Sequence, residues 1–208
     1  RPNLSQPIAA VPNLSVIIPS RNEPWLRHTV EDLLVNIRGD TEIIVALDGP
    51  PAEPFLPSDP RVTVLRYHEP IGQRSVINAA ARLSTAAYLM KCDAHCAFAE
   101  GFDVALMAEC EPDWTVIPRM YNLHVFDWQC QACGHRTYMG PALTVCEQCH
   151  EAGPFKQVLV WKPRLNRRSD FARIDSDLRF RYWGSYEHRE ASHGDIADTM
   201  CFIGACFF

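Results

Sequence analysis

Short apolar runs that end in polar residues, and alternate with helix-patterned segments, constrain this chain more than any other feature. Leu14 to Pro19 (Leu-Ser-Val-Ile-Ile-Pro) is rich in β-branched residues, as a strand buried on both faces requires. The polar loop Ser20-Arg21-Asn22-Glu23 follows. Pro24 then opens a helical pattern that runs to about Arg38, with Leu26, Val30, Leu33, Leu34 and Ile37 on one face, and Gly39 ends it. Glu42 to Leu47 predicts a second strand, closing in Asp48-Gly49-Pro50. Arg61 to Arg66 predicts a third and Ala86 to Lys91 a fourth. Gly72 to Leu83 and Phe102 to Cys110 read as helices, and Trp114 to Ile117 as a further short strand. Such alternation predicts an α/β fold with a mostly parallel sheet and helices on both faces.

In sheets of this kind ligands bind at the carboxyl ends of the strands. The polar groups at those ends are the loop Ser20 to Glu23, Asp48, and Asp93 with His95. All of them therefore fall on one edge. The tetrad Asp93-Ala94-His95-Cys96 puts a carboxylate and an imidazole two residues apart, where alternation along an extended chain sends both the same way. Such a pair can hold one hard divalent cation with open positions, suited to gripping a diphosphate. That points to transfer from a nucleotide-activated donor. The plainer alternative makes Asp93 a helix cap and His95 a loop residue.

The second strong pattern is Cys130-x2-Cys133-x12-Cys146-x2-Cys149. Two Cys-x-x-Cys knuckles supply four thiolates for tetrahedral zinc, and a closed four-sulfur site has no open position for chemistry. A small zinc ribbon with a structural Zn2+ is expected, with His135 and His150 as bystanders. Bracing of a loop is the expected role; contact with nucleic acid or protein is the other one.

The chain has 208 residues, enough for one α/β domain and a small module. The expected division is a nucleotide-binding core over residues 1–128, the ribbon over 129–155, and an acceptor-side part of the same domain over 156–208. A net charge of −5 argues against a surface made chiefly for nucleic acid, although Arg164, Arg167, Arg168, Arg173, Arg179 and Arg181 cluster. No apolar run reaches the ~18 residues that span a membrane. Nine cysteines is an odd count, and the five outside the knuckles have apolar neighbours. That fits a reducing compartment, and a cytoplasmic location is expected. The start at Arg1 and the strand-like Cys201 to Phe208 suggest a piece of a longer protein.

On these residues the chain resembles a family two glycosyltransferase with the GT-A (Rossmann-like) fold, and is most similar to the polypeptide N-acetylgalactosaminyltransferases. The resemblance rests on Val16-Ile17-Ile18-Pro19-Ser20-Arg21-Asn22-Glu23, Leu26 to Leu34, Ile43 to Asp48, and Asp93-Ala94-His95-Cys96 with Gly101-Phe102. Phe126-Asp127-Trp128 and Gly204 to Phe208 are weaker echoes.

The resemblance implies a metal-dependent transferase that moves a sugar from a nucleoside diphosphate donor, a UDP-sugar, to an acceptor hydroxyl. Pro19, Ser20, Arg21 and Glu23 would line the nucleotide pocket, and Asp48 would meet the uracil or ribose. Arg74 and Asn78 would face the sugar nucleotide. Asp93 and His95 would hold Mn2+ or Mg2+ against the diphosphate. The usual second acid beside Asp48 is Leu47 here. The catalytic base is expected beyond Phe208, with His188, His193, Glu187, Glu190, Asp195 and Asp198 as weaker candidates. The acceptor (glycan, protein or modified DNA base) stays open. Two rivals remain: a nucleotidyltransferase, which would want a glycine-rich phosphate loop that Pro19 to Glu23 lacks, and a non-catalytic zinc-ribbon module on a degenerate scaffold.

Overall fold

The computed structural model describes residues 12–118, 120–168, 171–174, 180–182 and 206–208. The chain divides into two compact units, one of residues 1–118 with 200–208 and one of 119–199.

The first unit is α/β, with the elements β1 (Leu14–Ser20), α1 (Leu26–Asn36), β2 (Thr41–Asp48), β3 (Val62–Tyr67), α2 (Gln73–Leu83), β4 (Tyr88–Cys92) and α3 (Phe102–Glu109). The sheet runs β4-β1-β2-β3 with all pairs parallel. A short antiparallel strand, Cys206–Phe207, pairs with Lys91 and Cys92 at the β4 edge. The expected α/β class, with its mostly parallel sheet, is thus what the chain forms.

Every residue of β1 is buried, as its unbroken apolar run demands. Ile17, Ile44 and Ala46 pack under Val76 and Ala80 of α2. The alternate residues Leu14, Val16, Ile18, Ile43 and Val45 are equally buried, so the sheet is covered on both faces. Each such aliphatic side chain stabilises the fold by roughly 1.5–3 kcal/mol.

Helix α1 buries Leu26, Thr29, Val30 and Leu33. It starts two residues after Pro24 and ends at Asn36, because Ile37 turns extended (φ −61°, ψ 136°). The turn that follows is fastened by Asp103 of α3, which is fully buried. Its carboxylate accepts from the N–H groups of Arg38 (3.1 Å) and Gly39 (2.8 Å) and from Thr41 Oγ1 (2.9 Å). A side chain at Gly39 would put Cβ 3.2 Å from Asp103 Oδ2, so glycine allows this close approach. Burial pushes the Asp103 carboxyl up, but these donors outweigh it and hold it below the usual range.

Two local expectations change. Trp114 to Ile117 is not a strand. It does not align along a neighbouring edge for more than a residue; Val116 exchanges its N–H and C=O with those of Phe208, at 2.8 and 2.9 Å. Of the strand expected over Cys201 to Phe208, Cys206–Phe207 forms, and 201–205 lie outside the described residues.

The second unit is antiparallel. Strands β5 (Tyr121–Cys130), β6 (Arg136–Tyr138) and β7 (Phe155–Arg168) form a sheet in the order β6-β5-β7, and β8 (Phe171–Ile174) pairs with β9 (Phe180–Tyr182). The β5–β7 ladder slips by one residue between His124 and Phe126, opposite Trp161, whose φ is 53°. An extra residue there makes a β-bulge. The short strand Cys206–Phe207 of the first unit is β10.

Candidate functional site

Because β1, β2 and β4 are parallel, their carboxyl ends deliver Ser20, Asp48 and Cys92 to one edge of the sheet. The loop after β1 is shaped by Asn22, which sits in the left-handed region (φ 55°). Asparagine tolerates that conformation better than most residues. Glu23 follows and does two things. Its Oε1 accepts from Trp25 N–H at 3.1 Å, at the start of α1, and its Oε2 lies 3.1 Å from His95 Nδ1. Glu23 thus sits at the helix start with one oxygen, which leaves the second to join the turn after β4.

Asp48 ends β2 and is buried. Its Oδ1 accepts from Ile71 N–H at 2.6 Å, and its Oδ2 from Gly72 N–H at 3.1 Å. Asp48 thus pins the residues that lead into α2. Arg74 and Asn78, on the first turns of α2, are exposed, as is Arg21, whereas Pro19 and Ser20 are buried.

Strand β4 stops at Cys92, so Asp93 and His95 sit in a turn and not at alternating strand positions. Asp93 pairs with Lys91, which is 3% exposed, and Asp93 itself is 29% exposed. His95 is 54% exposed and turns toward Glu23. The turn is held from below by backbone bonds: Cys96 N–H to Thr29 Oγ1 at 3.0 Å and Phe98 N–H to Asp32 Oδ1 at 2.7 Å.

Beside Glu23 lies a cavity of about 310 Å³, lined among others by Ser20, Asn22, Glu23, Leu47, Pro50 and Glu53. Of the residues singled out from the sequence, Ser20 and Glu23 border it. Asn22 belongs to the loop expected there, whereas Glu53 and Lys91 were not singled out. A lysine inside the apolar run Tyr88-Leu89-Met90-Lys91-Cys92 was the available signal for the last of these.

The second unit brings the four knuckle cysteines together. Cys130 ends β5, its N–H bonded to His135 O at 2.9 Å, and Gly134 N–H returns to Cys130 O at 3.0 Å with φ 77°. The other knuckle repeats this, with Cys146 N–H to Glu151 O and His150 N–H to Cys146 O. The sulfurs of Cys130 and Cys149 are 3.8 Å apart and those of Cys133 and Cys146 3.7 Å. All four lie within 4.8 Å of one another. Zinc–sulfur bonds of about 2.3 Å put tetrahedral corners about 3.8 Å apart, whereas a disulfide needs about 2.05 Å. The donor set therefore fits a zinc ion. Backbone N–H groups of Cys149 and Gln148 pull the Cys146 thiol down to about 6, toward the thiolate that a metal needs.

A parallel sheet covered on both faces, with acidic groups gathered at the carboxyl ends of its strands, has the edge at which open α/β sheets bind ligands. The sequence profile of glycosyl transferase family 2 matches residues 15–129, and the chain belongs to that family. Among solved structures it is similar to the mannosyltransferase PcManGT of Pyrobaculum calidifontis, in complex with GDP-Man and Mn2+, at 20% identity, a TM-score of 0.37 and coverage of 47% of this chain and 31% of that one. It is similar also to S. aureus TarS, at 15% identity, a TM-score of 0.41 and coverage of 47% and 19%. The chain thus spans less than a third of either structure's length. No protein of curated function matches it. Among the described residues no helix is long and apolar enough to cross a membrane.

Proposed function

We propose that this chain carries the donor half of a metal-dependent glycosyltransferase that moves a sugar from a nucleoside diphosphate, a UDP-sugar, to an acceptor hydroxyl. The observation that supports it best is the joining of the β1 and β4 tips by Glu23 and His95, next to the cavity, with His95 in the same turn as Asp93. The likeness of Asp93-Ala94-His95-Cys96 to the polypeptide N-acetylgalactosaminyltransferases favours UDP as the nucleotide. Free thiols, including Cys92, Cys96 and Cys206, favour a reducing, cytoplasmic setting.

Asp93 and His95 offer a carboxylate oxygen and an imidazole nitrogen at an exposed turn, a donor set that suits Mn2+ or Mg2+. When bound, such an ion would neutralise charge on the leaving diphosphate. The remaining work falls to the protein. Pro19, Ser20, Arg21 and Glu23 would hold the nucleotide. Asp48 would meet its base or ribose and, by pinning Ile71 and Gly72, set the start of α2 so that Arg74 and Asn78 face the donor. Positioning of this kind supplies much of the rate in transfer reactions. The division into a donor core at 1–128, a ribbon at 129–155 and an acceptor-side part at 156–208 belongs to the same reading, with zinc bracing the ribbon.

The test is turnover of UDP-sugars, with GDP-sugars as comparison, by the purified protein in the presence of Mn2+. Release of UDP that needs Asp93 supports the reading. Absence of nucleotide binding would sink it, and cleavage at the α-phosphate would make the protein a nucleotidyltransferase.

A further inference from the structure

Lys91 occupies an unusual place for a charged side chain. It lies on β4, in register with Ile17 of β1 on one side and Phe207 of β10 on the other, and is only 3% exposed. Its ammonium donates to Asp93 Oδ1. A buried charge requires partners, and one of them here is the carboxylate proposed to face the metal. Lys91 engages Oδ1 of a carboxylate that is itself 29% exposed, so the buried ammonium fixes one oxygen while part of Asp93 still meets solvent.

Two consequences follow from elementary electrostatics. That bond selects which oxygen Asp93 presents. The ammonium also cancels much of the carboxylate's charge for an approaching cation, at a distance where screening by water is incomplete. Among the described residues at this turn, the groups that could attract a divalent ion are Asp93, His95 and Glu23, the last already engaged by His95 and Trp25.

We propose that Lys91 is a positioning residue that orients Asp93 and keeps the divalent ion from loading until the diphosphate of the donor brings its own negative charge. The inference rests on the reading of Asp93 as a ligand of that ion. It makes the metal and the nucleotide bind as one unit, with little metal held by the free protein.

The experiment is titration of Mn2+ into the full chain, followed by the paramagnetic signal of the free ion, without nucleotide and then with saturating UDP. The wild type should bind Mn2+ about tenfold or more tightly with UDP than without it; equal affinity in the two conditions overturns the inference without any variant being made. Lys91→Met keeps the length and removes the charge, and should tighten Mn2+ binding without UDP by about tenfold or more, shrinking the UDP effect to match. Lys91→Arg should behave as the wild type. Unchanged or weaker Mn2+ binding by a folded Lys91→Met protein overturns the inference. Asp93→Asn separates the two levels. If it abolishes Mn2+ binding while Lys91→Met changes nothing, Asp93 remains a ligand and only the role of Lys91 falls. If it leaves Mn2+ binding intact, both fall together.

Discussion

His95 Nδ1 lies 3.1 Å from Glu23 Oε2, which ties the turn after β4 to the loop after β1 across 72 positions of sequence. Glu23 holds the start of α1 with its other oxygen, so one side chain fixes three parts of the edge at once. Glu23→Ala should therefore loosen the nucleotide pocket more than the fold. A neutral or charge-assisted bond of this exposed type contributes about 0.5–1.5 kcal/mol, so a modest fall in Tm is expected. UDP affinity should drop by about tenfold, the equivalent of 1.4 kcal/mol. Calorimetric titration with UDP, beside a thermal melt, checks both; an unchanged Kd would remove Glu23 from the pocket.

Asp93 is coupled to a buried cation, and this changes what its removal does. Asp93→Ala should abolish donor cleavage, and it also leaves the Lys91 ammonium without its carboxylate. Allowing for partial exposure of Asp93, the cost in stability is about 1–3 kcal/mol. Asp93→Asn keeps an acceptor and should lose less stability while being equally inactive. Urea unfolding of both variants, with a turnover assay in Mn2+, tests the pair. Near-normal turnover in either would remove Asp93 from the chemistry.

For Asp48 the structure adds a second route to the same loss. Asp48→Ala removes a group proposed to meet the base or ribose, and also frees Ile71 and Gly72, which it holds at 2.6 and 3.1 Å. A fall in UDP affinity of roughly ten- to hundredfold is expected, from a charge-assisted bond of about 1.5–3 kcal/mol. Hydrogen exchange should show the amides of Ile71 and Gly72 losing protection in the same variant. Loss of protection with UDP binding intact would leave Asp48 a purely structural anchor.

One zinc per chain should be found by elemental analysis, held by Cys130, Cys133, Cys146 and Cys149. Cys146 is drawn down to about 6, chiefly by backbone N–H groups, and Cys149 is pushed up to about 12, where burial and the neighbouring thiols outweigh a backbone bond, so zinc binding must release protons from the set. Protons therefore compete with the metal, and zinc should be lost on acidification. Mild EDTA at pH 7.5 should stop catalysis first and leave this zinc bound. Cys146→Ser should loosen residues 129–150 and leave UDP affinity nearly unchanged. Zinc-free protein, or UDP binding lost with Cys146→Ser, would contradict the assignment.

Asp103 carries a pH dependence of known sign. Its carboxyl is held below the usual range in the folded protein, so it stabilises the fold above its unfolded value of about 3.9 and that contribution disappears as pH falls further. Asp103→Asn should cost about 1.5–3 kcal/mol at pH 7 and flatten the acid limb of the stability curve below about pH 4. Denaturant unfolding from pH 3 to pH 7 gives the comparison. An acid limb identical to that of the wild type would show that other carboxylates govern it.

The sequence by itself determined the sheet and the edge at which its strand ends gather. Unbroken apolar runs such as Leu14 to Pro19 must be buried on both faces, and parallel strands put their ends together whatever the details. The knuckle spacing was equally legible, because two Cys-x-x-Cys turns can bring four sulfurs to one point using local backbone geometry alone. Tertiary structure decided the partners. The pairing of Glu23 with His95 and of Asp48 with Ile71 and Gly72 depends on strand order, which local pattern does not contain. Trp114 to Ile117 has a strand's composition, but among the described residues its strand-like pairing is limited to the exchange between Val116 and Phe208, too little to make it one. Lys91 shows the same limit: composition marks a lysine as a surface residue, and only the packing of β4 between β1 and β10 places its charge against Asp93, where burial forces the two to pair.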